Sequence, residues 1–86
     1  MRLLFSSHAW DDYLYWQRHD RAKLKRINVL LEDTKRNGHQ GVGTPEALRF
    51  DLAGFWSRRI DREHRLVYRI TEDDVVEVAA CRYHYE

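Results

Sequence analysis

Eighty-six residues, 43% hydrophobic and 34% charged, suffice for one globular domain and leave no room for a second core. That balance excludes a disordered chain, and the single cysteine, Cys81, excludes an internal disulfide. The net charge of +1 says little, because fifteen Lys and Arg and fourteen Asp and Glu are unevenly spread.

In chain order, "MRLLFSSHAW" carries one basic residue and an apolar run too short for a signal peptide or a membrane span. The expectation is a cytoplasmic protein with no membrane partner. Residues 2–5 read as a short strand ended by Ser6 and Ser7. Either serine can cap the helix that follows, where Asp11 and Asp12 suit the N-terminal dipole. In "HAWDDYLYWQRH", Trp10, Tyr13, Leu14 and Gln17 form one helical stripe flanked by Ala9 and Trp16. Asp20 caps a second helix, in which Leu24, Ile27, Leu31 and Thr34 recur at three- and four-residue steps and Leu30 widens the face. Asn37 and Gly38, after Lys35 and Arg36, supply its stop.

"GHQGVGTPEAL" is glycine-rich and holds the only proline, but it lacks the Gly-Lys-Ser/Thr ending of a nucleotide loop and follows no strand. Thr44-Pro45-Glu46 reads as a cap with proline at the first position of a short helical turn. Beyond it, "LRFDL", "FWSRRID", "HRLVYRIT" and "VVEVAACRYHY" read as strands joined by short turns, an antiparallel meander. The predicted fold is α+β: an N-terminal strand that joins the sheet, two helices packed on one of its faces, and a meander whose other, arginine-bearing face stays open.

The charge distribution is informative. Arg18 to Arg36 holds seven basic residues against three acids, and from Arg49 to Arg69 the chain uses arginine and no lysine. The guanidinium fork matches phosphate oxygens, so repeated arginine suggests phosphate or carboxylate partners. If the open face meets RNA, metal-free cleavage needs a base for the 2′-hydroxyl, an acid for the leaving 5′-oxygen and cations around the phosphorane. Glu46, His84 and the pair Arg59 and Arg65 supply these parts, and Tyr85 can stack on an unpaired base. Each residue also has a plainer reading. Glu46 suits the amino end of its turn, and Arg59 and Arg65 can pair with Asp61 or Glu63. His84 is one histidine of five, and Tyr83 and Tyr85 can pack on Trp10 or Trp16. Cys81 and His84 form half a zinc site with no second ligand pair, so neither metal nor cofactor is expected.

One geometric difficulty stands out. If Val76, Val78 and Ala80 face the core, strict alternation sends Arg82 and His84 there too. For His84 to reach the open face, the chain must bulge or leave the sheet near residues 81–83.

"WDDYLYWQ" at 10–17, "GFWSRRI" at 54–60, "EHRLVY" at 63–68 and "AACRYHY" at 79–85 closely resemble the YoeB family of the RelE toxin superfamily, over essentially the whole chain. The resemblance implies a toxin that binds the 70S ribosome and cleaves messenger RNA in the A site without metal, leaving a 2′,3′-cyclic phosphate and a 5′-hydroxyl. It further implies a YefM-like antitoxin that wraps the toxin and covers its site, with operator DNA contacted only through that antitoxin. The family's base maps to Glu46, its acid to His84, its phosphate cations to Arg59 and Arg65, and its aromatic contact to Tyr85. A lysine common in the family is Arg49 here, which keeps the charge and changes the donor geometry. One extra residue near the Asp73–Val75 turn and the continuation to Glu86 also depart from the pattern. Arg21, Lys23, Lys25 and Arg26 are the expected contacts to ribosomal RNA. A homodimer is compatible with the reading. The rival is a catalytically silent ribosome- or RNA-binding module that still pairs with an antitoxin. Glu46, Arg65 and His84 together favour the enzyme.

Overall fold

A computed structural model describes residues 1–84. Strand β1 (Arg2–Phe5) leads into helix α1 (Ser7–His19) and helix α2 (Arg21–Asn37). Four strands follow: β2 (Glu46–Ala47), β3 (Trp56–Arg59), β4 (Arg65–Ile70) and β5 (Val75–Ala80). Among the described residues, no helix is long and apolar enough to cross a membrane.

The helix boundaries follow from side-chain chemistry. Ser6 is extended and accepts the Ala9 N–H, opening α1. Asp20 closes α1 and accepts the N–H groups of Ala22 and Lys23 to open α2. Gly38, at φ 67°, ends α2 by donating its N–H to the Thr34 carbonyl, a conformation in which glycine carries no Cβ penalty. Ala9 and Trp16 of α1 and Ile27, Leu30 and Leu31 of α2 pack against Leu66, Tyr68, Val76 and Val78 of the sheet to form the core.

Spatially the strands run β1-β5-β4-β3-β2. The β2–β3, β3–β4 and β4–β5 pairs are the expected antiparallel meander, while β1 lies parallel to β5, making the sheet mixed. The connection between β1 and β5, the α1–α2 hairpin followed by three antiparallel strands, is far longer than the crossover that a parallel pairing needs.

Two local expectations are corrected. Thr44-Pro45-Glu46 is not a helical turn: Thr44 has φ 53°, unlike the extended cap a helix requires, and Glu46 begins edge strand β2 opposite Ser57. Pro45 can precede an edge strand because its missing N–H breaks no ladder there. "LRFDL" is not a strand either. Phe50 takes φ 57° and starts a 3₁₀ turn at Phe50–Leu52, so the ladder stops after Ala47.

The alternation difficulty is resolved two residues before the expected 81–83 stretch. Val67 pairs with Ala80 but Tyr68 pairs with Val78, so Ala79 is an extra residue in β5. This bulge moves Ala80 off the core face, where it had been expected, onto the face of Val67 and Ser57. The strand then ends at Ala80, short of the full "VVEVAACRYHY" run, and Tyr83 turns back at φ 70°.

Candidate active site

Register defines the floor of the site. Glu46 opposes Ser57, and Ser57 opposes Val67, placing all three on the sheet face away from the helices. Arg59 opposes Arg65 two residues along the same strands, on the same face. Ser57 and Val67 are buried at its centre, so the face is a concavity rather than a bare plane. A cavity of about 590 Å³ is lined by Glu46, Arg49, Ser57, Arg59, Arg65 and His84, together with Thr44, Ala47, Leu48 and Phe50. Five residues singled out in the sequence thus meet at one surface.

The two arginines are held differently. Arg65 donates from Nη1 to the carbonyl oxygens of Asp61 (2.9 Å) and His64 (3.1 Å), which orients its guanidinium. The plainer expectation of pairing with the Asp61 or Glu63 carboxylates does not hold, because Lys23 Nζ takes the Asp61 carboxylate at 2.9 Å. Burial alone would raise the Asp61 carboxyl, but N–H bonds from His64 and Glu63 and the Lys23 ammonium hold it down at about 2. Arg59 is tied through its backbone: its N–H donates to Gly43 O at 2.7 Å, and its carbonyl accepts from Arg26 Nη2 at 3.2 Å. Its side chain is left facing the cavity.

The chain bearing His84 is anchored residue by residue. Cys81 N donates to Asp12 Oδ2 at 3.0 Å, and Trp16 Nε1 donates to Cys81 O at 2.7 Å. The Arg82 guanidinium lies 3.5 Å from the centroid of the Tyr15 ring. Tyr83 N donates to His64 Nδ1 at 2.8 Å, while Tyr83 O accepts from Arg65 N at 2.9 Å. Tyr83 is half exposed and does not pack on Trp10 or Trp16 as the plainer reading supposed; the His64 ring packs against Trp16 instead. His84 sits between the arginine cavity and a second concavity lined by Lys23, Asp61, Arg62 and Glu63. The Tyr85 assignment lies outside the described residues.

The basic helix divides in two. Arg21 and Lys25 face solvent, whereas Lys23 and Arg26 are engaged with Asp61 and Arg59 O. Sequence reasoning missed two residues that support the site, Arg58 and His64. Arg58 faces the helices, and its buried guanidinium binds Asp33 Oδ2 and the carbonyls of Gly38, Gln40 and Val42. It thereby pins the loop that leads to Glu46. Gly41 is required in that loop, since at φ 120° an added Cβ would lie 1.9 Å from Asp33 Oδ2. The available signal was positional: Arg58 stands between Ser57 and Arg59, on the opposite parity of β3.

A solved YoeB/ParE toxin from Agrobacterium tumefaciens superposes with a TM-score of 0.95 at 46% identity, covering 99% of this chain and all of that one. The YoeB–YefM complex from Staphylococcus aureus matches with a TM-score of 0.91 at 43% identity, covering 99% and 98%. Two helices on a small mixed sheet with an arginine-lined concavity define a RelE-like toxin fold. The profile of the YoeB-like toxins of bacterial type II toxin–antitoxin systems matches residues 5–85. Toxin YoeB of Escherichia coli K12 is 55% identical over 85 residues, which cover 99% of this chain and 100% of that protein. The chain belongs to the YoeB-like toxin family.

Proposed function

We propose that this toxin is a ribosome-dependent endoribonuclease that cleaves messenger RNA in the A site and so stops translation. The observation that carries the reading is the meeting of Glu46, Arg59, Arg65 and His84 around one cavity, from β2, β3, β4 and the segment after β5. Glu46 takes the proton from the 2′-hydroxyl, whose oxygen attacks the adjacent phosphorus. The bond to the 5′-oxygen breaks, His84 protonates that oxygen, and the products are a 2′,3′-cyclic phosphate and a 5′-hydroxyl. Arg65, oriented by its two carbonyl contacts, and Arg59 offset the charge that grows on the phosphorane. Arg49 lines the same cavity and suits a neighbouring phosphate, with Tyr85 as the base-stacking contact. The chemistry calls on no metal or cofactor.

Arg21, Lys23, Lys25 and Arg26 bring the toxin to ribosomal RNA of the small subunit. A relative is solved with YefM bound, which supports a YefM-like antitoxin that neutralises this chain by covering the cavity. Operator DNA is then contacted through the antitoxin alone.

The test is to induce the wild type and His84→Gln in cells and map messenger 5′ ends. Cleavage within codons by the wild type alone is expected. A variant that cuts equally well removes His84 as the acid. If neither protein cuts yet both slow translation, the chain is a silent binding module.

A further inference from the structure

The turn that aims His84 depends on an imidazole outside the cavity. Tyr83 has φ 70°, a left-handed conformation that a tyrosine keeps only when its surroundings impose it. Two hydrogen bonds impose it here. Arg65 N donates to Tyr83 O at 2.9 Å, a bond between backbones that most residues at position 65 could make. Tyr83 N donates to His64 Nδ1 at 2.8 Å, a bond that needs an acceptor on that side chain. We infer that His64 is a positioning residue: its unprotonated Nδ1 clamps the Tyr83 amide and thereby delivers His84 to the cavity. The inference rests on the ribonuclease reading and adds a residue to it.

The ring is built for this task. It is largely buried, it stands at 80° to the Trp16 indole with centroids 4.8 Å apart, and its Nε2 lies 3.0 Å from Glu63 Oε1. Because the Tyr83 N–H must donate, the neutral ring carries its proton on Nε2, where Glu63 can receive it. His64 N is fixed in turn by Asp61 Oδ1 at 2.6 Å, and Lys23 of α2 holds the other Asp61 oxygen. Arg65 donates to His64 O, and the Tyr83 ring lies tilted at 5.9 Å. Around the imidazole stand the carboxylates of Glu63 and Asp61 and the cations Lys23 and Arg65. A second proton converts Nδ1 into a donor facing another donor, so protonation of this ring opens the clamp.

The experiment combines single-turnover cleavage on programmed ribosomes with amide NMR of the free toxin. His64→Phe keeps a flat ring and loses the acceptor, while His64→Asn offers its side-chain oxygen near the position of Nδ1. The expected result is a loss of about tenfold or more in kcat for His64→Phe, with KM changed by less than about twofold, and recovery of most of the rate in His64→Asn. In the wild type, the Tyr83 amide signal should follow the His64 ring resonances as pH falls, and in His64→Asn it should lose most of that dependence. Wild-type cleavage by a folded His64→Phe protein, while His84→Gln is inert, overturns the clamp. So does a Tyr83 amide indifferent to the His64 titration, which decides the matter even if His64→Phe fails to fold. If His84→Gln itself cleaves normally, the acid assignment falls, and the amide titration still decides whether His64 holds the turn.

Discussion

Arg58 carries a full charge at zero solvent exposure, and its partners explain how. Nη1 faces Asp33 and Val42 O, Nη2 faces Gly38 O and Gln40 O, and Nε donates to the Tyr68 hydroxyl at 3.2 Å. The Arg58 guanidinium holds the Asp33 carboxyl below its usual range. Arg58→Leu strands these acceptors, so it should lower unfolding free energy by about 3 kcal/mol or more in urea titrations. Arg65→Ala acts on the other face: turnover should fall about 10²-fold or more with ribosome affinity much less changed, read from single-turnover kinetics and binding side by side. An equal loss in both would reduce Arg65 to a docking contact. Cys81 is fully enclosed, and burial, with the Asp12 carboxylate adding to it, pushes its thiol up to about 12. It should therefore resist iodoacetamide at neutral pH until the protein is unfolded in urea, a difference that mass spectrometry reads directly. The catalytic candidates were readable because their chemistry demands particular residue types. Arg58 and His64 were not, since their value lies in backbone groups brought to them from distant loops.

At the scale of elements, the helices were the most legible part, because Ser6, Asp20 and Gly38 mark their ends with side-chain and φ requirements that act locally. The stretch from Thr44 to Leu52 was misread because its conformation is set across the sheet, by pairing with β3, and by positive φ at Thr44 and Phe50. The basic face of α2 leads to a separate prediction. Lys25 is exposed and unconnected with the cavity, so Lys25→Glu should weaken ribosome binding and flatten its salt dependence while leaving cleavage of bound message intact. An unchanged salt slope would remove α2 from the docking surface. The β3–β4 turn has its own signature. Asp61 sits at about 2 against an ordinary value of 3.8, so its contribution to stability is complete above that ordinary value and disappears as pH falls towards 2. Thermal melts across this acid range should show the loss in the wild type and much less of it in Asp61→Asn.

In the whole molecule, β5 is the strand that everything else consults. It has β1 on one side and β4 on the other, and α1 lies against it. Its bulge at Ala79 reverses the alternation before the 81–83 stretch where the sequence reading had asked for a break, and no local pattern in "VVEVAACRYHY" marks the position of that reversal. The cause is the demand of the core for Cys81 and of the cavity for the residues beyond it.

The parallel pairing of residues 2–5 with 75–78 also bears on how the toxin is made. A ribosome extrudes β1 and both helices long before it extrudes β5, and during that interval the Asp12 carboxylate and Trp16 indole have not met Cys81. Residues 75–84 are synthesised after the parts they organise, so a nascent chain has neither a closed sheet nor a delivered His84. Chain order thus makes residues 75–84 the last segment needed before the sheet closes and the cavity gains its imidazole.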